Sequence, residues 1–150
     1  MTVAAGAGRL NLIKLCVGVD SVEDLADWIA ERQADRQARG LPEQQVHITR
    51  MAPTRSAELL DGGSLYWVIK GELLCRQSLR AIETFVDGEG IGRCRLVLEP
   101  RLVRVAARPS RPFQGWRYLK GTEAPADLQD GAAPGLPEAL QRELRQLGLL

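Results

Sequence analysis

Residues 10–19 are apolar at both alternate sets of positions, apart from Asn11 and Lys14. A strand presents successive side chains to opposite faces, so such a run is buried on most of two faces. Residues 65–70 form a second run of this kind, closed by Gly71, and read as another central strand. Between the two lies one clear helical pattern. Ser21 is a good N-cap, with Asp24 three residues on, and Val22, Leu25 and Ile29 fall on one face. The spacing predicts a helix over 22–38, stopped by Gly40 and Pro42 and packed on a sheet. Trp28 flanks its apolar stripe and reads as a core edge.

The remaining elements follow from shorter patterns. Residues 45–51 alternate Val46 and Ile48 with His47 and Thr49, a strand that Pro53 ends. Residues 56–60 suit one or two helical turns. Residues 73–86 fit either period and are assigned to a strand that follows a tight turn at Gly71-Glu72. Asp87-Gly88-Glu89-Gly90 is a turn; its glycines mimic a phosphate loop, but no helix opening follows. Residues 93–98 point Cys94, Leu96 and Leu98 inward, and 102–107 continue extended after Pro100. The expected organisation is a flexible N-terminus (1–9), one α+β domain (10–120), then a linker and short helix (121–150). Pro137 opens that helix, which carries Leu140, Leu144 and Leu147 on one face and either docks on the domain or meets a protein partner.

Composition narrows the function classes. A chain of 150 residues buries a real core. No stretch reaches the ~20 apolar residues of a membrane helix, and the start lacks the basic and apolar blocks of a secretory signal. The expected location is the cytoplasm. Cys16, Cys75 and Cys94 are dispersed and His47 is the only histidine, so no metal site or cofactor is implied, and the thiols read as reduced and mostly buried. The net charge of +1 hides an asymmetry: between residues 93 and 120, eight Lys and Arg face Glu99 alone. That stretch is either a footprint for phosphates or the solvent face of strands in an arginine-rich chain.

Only seven residues are aromatic, and five of them sit in two glycine-centred segments, 61–71 and 113–120. Rings beside cations suit stacking on a flat, anionic ligand, and they also suit core packing. Tyr66, Trp67, Trp116 and Tyr118 supply the rings. Strand alternation sends Tyr66 and Trp67 to opposite faces, so Trp67 reads as a core indole. Arg50, Arg55, Lys70, Arg76, Arg111 and Arg117 are candidate phosphate or base contacts, and Gln114 a reader of a base edge. Gly62, Gly63 and Gly115 allow close backbone approach. The candidate ligand-binding set is His47, Arg50, Arg55, Ser64, Tyr66, Lys70, Arg76, Arg111, Gln114, Trp116 and Arg117.

The run His47-Ile48-Thr49-Arg50-Met51-Ala52-Pro53, the run from Glu58 to Gly71, Leu12-Ile13-Lys14-Leu15-Cys16-Val17-Gly18 and Arg111-Pro112-Phe113-Gln114-Gly115-Trp116-Arg117-Tyr118-Leu119 together resemble a bacterial family, domain of unknown function 1489. The likeness spans roughly residues 10–128. The loop 50–55, the turn at Asp61-Gly62-Gly63 and the strand that follows also resemble the PUA-like superfamily, which includes the ASCH and EVE domains. That resemblance implies a small mixed β-barrel with flanking helices, and binding of RNA or modified bases. The Lys/Thr/Glu set of some ASCH-type amidohydrolases has no counterpart in this chain.

Three functions stay open at this level. The first is a module that binds RNA or a nucleotide-like ligand. The second is a small hydrolase acting on a nucleotide-like substrate, with His47 as base, Ser64 or Cys75 as nucleophile and Asp61 or Glu72 as orienting acid. The third is an adapter that binds another protein through the aromatic edge and the terminal helix.

Overall fold

Ser21 starts the long helix as its sequence requires. Its Oγ accepts a hydrogen bond from the Asp24 amide at 3.0 Å, and the Asp24 carboxylate accepts one from the Asp20 amide at 3.1 Å. Helix α1 (Val22–Ala38) then buries Val22, Leu25 and Ile29. The computed structural model describes residues 8–128 and Gln146. Within them lie seven strands: β1 (Leu10–Leu15), β2 (Gln45–Thr49), β3 (Ser64–Ile69), β4 (Glu72–Val86), β5 (Gly92–Leu98), β6 (Val103–Pro109) and β7 (Trp116–Lys120). A four-residue helix, α2 (Ser56–Leu59), precedes β3. None of the helices described is long and apolar enough to cross a membrane.

The two apolar runs lie side by side. β1 pairs β3 in parallel, and both are buried on two faces. On one face Leu12, Leu65 and Trp67 join Val22, Leu25 and Ile29 of α1 in the larger core. On the other, Ile13, Tyr66, Val68 and Leu73 form a second core with Val105 and Leu119. The β3–β4 hairpin turns at Lys70 (φ 48°) and Gly71 (φ 80°), the pair of positive angles that a tight two-residue hairpin turn needs. Gly63 is fixed by packing: a Cβ there would lie 2.2 Å from the Leu59 carbonyl oxygen and 2.5 Å from that of Leu10. The close approach read for this glycine is thus to the chain's own backbone.

The ambiguous run is a strand, the longest of the sheet. The strand path is β2-β5-β4-β3-β1-β7, with β6 also on β4. β4 pairs β3 and β6 through its first half and β5 through its second, with register breaks opposite Trp67/Val68 and between Leu79 and Ala81. Extra residues bend a strand and increase its twist. The second half of β4 therefore carries β5 and β2 over the helix face, where Cys94, Leu96 and Leu98 enter the same core as Leu12 and Leu65.

The expected barrel does not form. Closure needs the two end strands to pair in an even stagger, but β2 and β7 stand at opposite ends of the path and are not hydrogen-bonded to each other. The fold is α+β with an open, bent, seven-stranded sheet. Past β7, a 3-10 turn (Gly121–Glu123) leads into a segment that runs along β6: the Ala106 amide donates to the Ala126 carbonyl at 2.9 Å and the Leu128 amide to the Arg104 carbonyl at 2.8 Å. Residues 1–7, the rest of the expected linker and the helix expected from Pro137 lie outside the described residues, except that the Gln146 amide donates to the Glu72 carboxylate at 3.2 Å.

Candidate functional site

Lys14 is the one charge within β1. In register it stands beside Trp67 of β3 and Trp116 of β7. Lys14 thus has a tryptophan as its register partner on either side, on the face that α1 covers. Beyond the end of β1, the loop into α1 leaves a cleft of about 430 Å³, lined by Lys14, Cys16, Trp28, Gln45, His47 and Trp67 among others. His47 reaches it from β2, across the bend in the sheet, and meets Trp67 edge-on with ring centroids 5.1 Å apart. Trp28, read as a core edge, is 39% exposed and walls the cleft, with the Arg32 guanidinium stacked on its ring at 4.8 Å.

A polar chain beneath the cleft holds the indole of Trp67. Its Nε1 donates to Gln77 Oε1 at 2.8 Å, and Gln77 Nε2 donates to Gln45 Oε1 and to the Glu99 carbonyl, both at 2.8 Å. Trp67 is therefore both core and wall. The cleft itself lacks such compensation. His47 Nε2 is buried without a hydrogen-bond partner. Among the described residues, no hydrogen bond or ion pair holds the Lys14 ammonium. Burial, helped by the Lys14 charge, pushes the His47 imidazole down to about 4. Burial pushes the Cys16 thiol up to about 11, although Lys14 pulls the other way. At neutral pH both groups are uncharged, and Lys14 is the one Lys or Arg among the residues that line the cleft.

The sequence-derived set divides between faces. His47 and Trp116 lie on the helix face. Ser64, Tyr66 and Arg76 lie on the opposite face and are buried, with Arg76 Nη1 donating to Ser64 Oγ at 3.0 Å. Arg117, beside Ile13 in register, shares that second face and stacks on Phe113 at 4.7 Å. Arg50, Tyr66, Trp116 and Arg117 thus line no common concavity. Arg50, Arg111 and Gln114 are exposed. Lys70 forms an exposed ion pair with Asp20 at 3.2 Å.

Trp116 and Tyr118 act as a latch. Trp116 Nε1 donates to the Met51 carbonyl at 2.8 Å, and Tyr118 Oη accepts from the Thr54 and Arg55 amides at 3.1 and 3.3 Å. The rings pack edge to face at 4.9 Å, and the Arg55 guanidinium lies over Tyr118 while it pairs with Glu58. These groups fix the loop between β2 and α2, so their hydrogen-bonding atoms are already engaged. Of the two nucleophiles considered, Ser64 is fully buried against Arg76, and Cys75 is fully buried with its thiol pushed up to about 12 by desolvation.

Lys14, Cys16 and Trp28 were outside the candidate set. Lys14 carried a signal, since a lysine interrupting a strand that is otherwise apolar on both faces needs a reason. Cys16 and Trp28 carried none, because the loop that brings them together is set by how α1 packs on the sheet. The family model described as "Protein of unknown function (DUF1489)" matches residues 12–150. No curated protein and no solved structure matches the chain.

Proposed function

We propose, for a chain that belongs to the DUF1489 family, that its activity is to bind a nucleotide-like ligand in the cleft at the ends of β1 and β3. The observation that carries this reading is Lys14: a half-buried lysine that lines the cleft with Trp67 and that, among the described residues, pairs with no carboxylate. A partly buried cation gives up some of its hydration, and an anionic ligand replaces what is lost. Trp28 and the edge of Trp67 offer ring surface, and stacking one base contributes about 1–3 kcal/mol. The neutral imidazole of His47 offers a hydrogen bond to a base edge. The cleft's volume, about 430 Å³, suits a single nucleotide. A single nucleotide and a splayed base of single-stranded RNA present the same groups to such a cleft.

The test is a titration of tryptophan fluorescence with AMP, GMP, CMP and UMP, with adenosine as the uncharged control. Saturable quenching by at least one mononucleotide is expected, with Lys14→Met weakening it at least ~10-fold and leaving adenosine unaffected. No quenching by any of the four, or a Lys14→Met variant that binds as well as the wild type, sinks the reading.

A further inference from the structure

We propose that the buried cluster on the face opposite the cleft is a second binding site, for a phosphate-type oxyanion, and that Asp127 is its occupant from within the chain. The inference is independent of the nucleotide cleft, which lies across the sheet.

The site is built round Arg76, whose side chain is 7% exposed. Its Nε and Nη2 donate to the two carboxylate oxygens of Asp127, each at 2.8 Å. That parallel pair is the fork by which a guanidinium grips carboxylates and phosphates alike. The third nitrogen donates to Ser64 Oγ. Tyr66 stands next to Arg76 in register, is fully buried, and its Oη has no hydrogen-bond partner. The charges of Arg76, Arg108 and Asp127 all act on that hydroxyl. The walls therefore hold one more hydrogen-bonding group than Asp127 satisfies. Both Asp127 oxygens accept from Arg76, and neither accepts from the Tyr66 hydroxyl. A tetrahedral oxyanion keeps the fork and brings a further oxygen to Tyr66.

The occupant is also delivered by a segment that lies outside the named strands. Asp127 belongs to no strand of the sheet. Its segment holds the edge of β6 through the two backbone hydrogen bonds at Ala106 and Leu128, which make up its isolated bridge to Val105, and through a bond from Arg108 to the Glu123 carbonyl. An anion that displaces the carboxylate from Arg76 removes the side-chain anchor, and the segment leaves the edge of β6. The site takes its ligand by exchange: one oxyanion in, one carboxylate out, with no change in the charge beside Arg76 other than the second negative charge of a phosphate dianion.

The test uses the full chain, with chloride added to hold ionic strength constant. Inorganic phosphate and glycerol 3-phosphate are titrated separately, so that a free ion and a phosphate ester are told apart. Amide exchange at Ala106 and Leu128 is followed by NMR. Both amides are expected to exchange faster in phosphate or in its ester than in chloride. Asp127→Asn is expected to bind the better of the two anions at least tenfold more tightly than the wild type, because no carboxylate competes. Tyr66→Phe is expected to weaken binding at least fivefold without lowering the thermal midpoint in chloride, since it removes an unsatisfied buried hydroxyl. Equal exchange in all three salts overturns the proposal, as does a Tyr66→Phe variant with unchanged affinity. Should Asp127→Asn fail to fold, the wild type and Tyr66→Phe decide the matter. AMP binding that survives Lys14→Met but falls with Tyr66→Phe supports this site and removes the cleft.

Discussion

The imidazole of His47 stands edge-on to the indole of Trp67, with an interplanar angle of 89°. The two residues are 20 positions apart and lie in separate ladders, His47 on end strand β2 and Trp67 on central strand β3. They meet because β4 bends, so their contact reports on both the bend and the cleft.

The first consequence is a pH dependence. The folded pKa of His47 is depressed to about 4 from an ordinary 6.5. Between those values the unfolded chain binds more protons than the folded one, so stability is complete above pH 6.5 and falls as the pH drops toward 4. The expected loss is about 2 kcal/mol after allowing for solvent screening of this half-buried ring. Urea unfolding at pH 7, 5.5 and 4 measures it, and His47→Gln should flatten that part of the profile.

Cys16 gives a chemical handle on the cleft. Cys75 and Cys94 are fully buried, whereas Cys16 is half-buried and lines the cleft. With its thiol pushed up to about 11, it should react with a disulfide reagent at pH 8 roughly 100-fold more slowly than a free cysteine, since the thiolate is the reactive form. One equivalent of label is expected in the folded protein, and a saturating mononucleotide should block it. Labelling of two or three thiols in the native state would contradict the packing described.

The latch of Trp116 and Tyr118 should govern the loop between β2 and α2. Tyr118→Phe removes the oxygen that accepts from Thr54 and Arg55. Cleavage by trypsin after Arg50 or Arg55 should speed up several-fold, while global stability falls by about 1 kcal/mol. Unchanged digestion would mean that the loop is held by other contacts.

Gly63 should tolerate no side chain. Gly63→Ala places a methyl group 2.2 Å from the Leu59 carbonyl oxygen, where backbone must move. A loss of about 3 kcal/mol or more, seen as a large drop in thermal midpoint or as insoluble protein, is expected. Gly88→Ala, with open space around it in the β4–β5 turn, serves as the control and should change little.

Local chemistry alone determined the elements. The Ser21 cap and the apolar face of Val22, Leu25 and Ile29 set α1 at the boundaries expected, because capping and helical period act within a few residues. Alternation and turn glycines set β3 and the β3–β4 hairpin within one residue, whereas β1 ends at Leu15, short of the Val19 that its apolar run suggested. They also sent Tyr66 and Trp67 to opposite faces, as observed. What only the tertiary structure decided is how strands far apart in sequence meet. Two irregularities in β4 made the sheet open and bent, and no period in the sequence announces a register break. That bend brought His47 to Trp67, and the packing of α1 brought Trp28 and Cys16 to Lys14. On the other face, Asp127, in a stretch whose composition reads as linker, was brought to Arg76, 51 residues away. A residue's face follows from its neighbours in the chain; its partners across the sheet follow from register, which the whole fold sets.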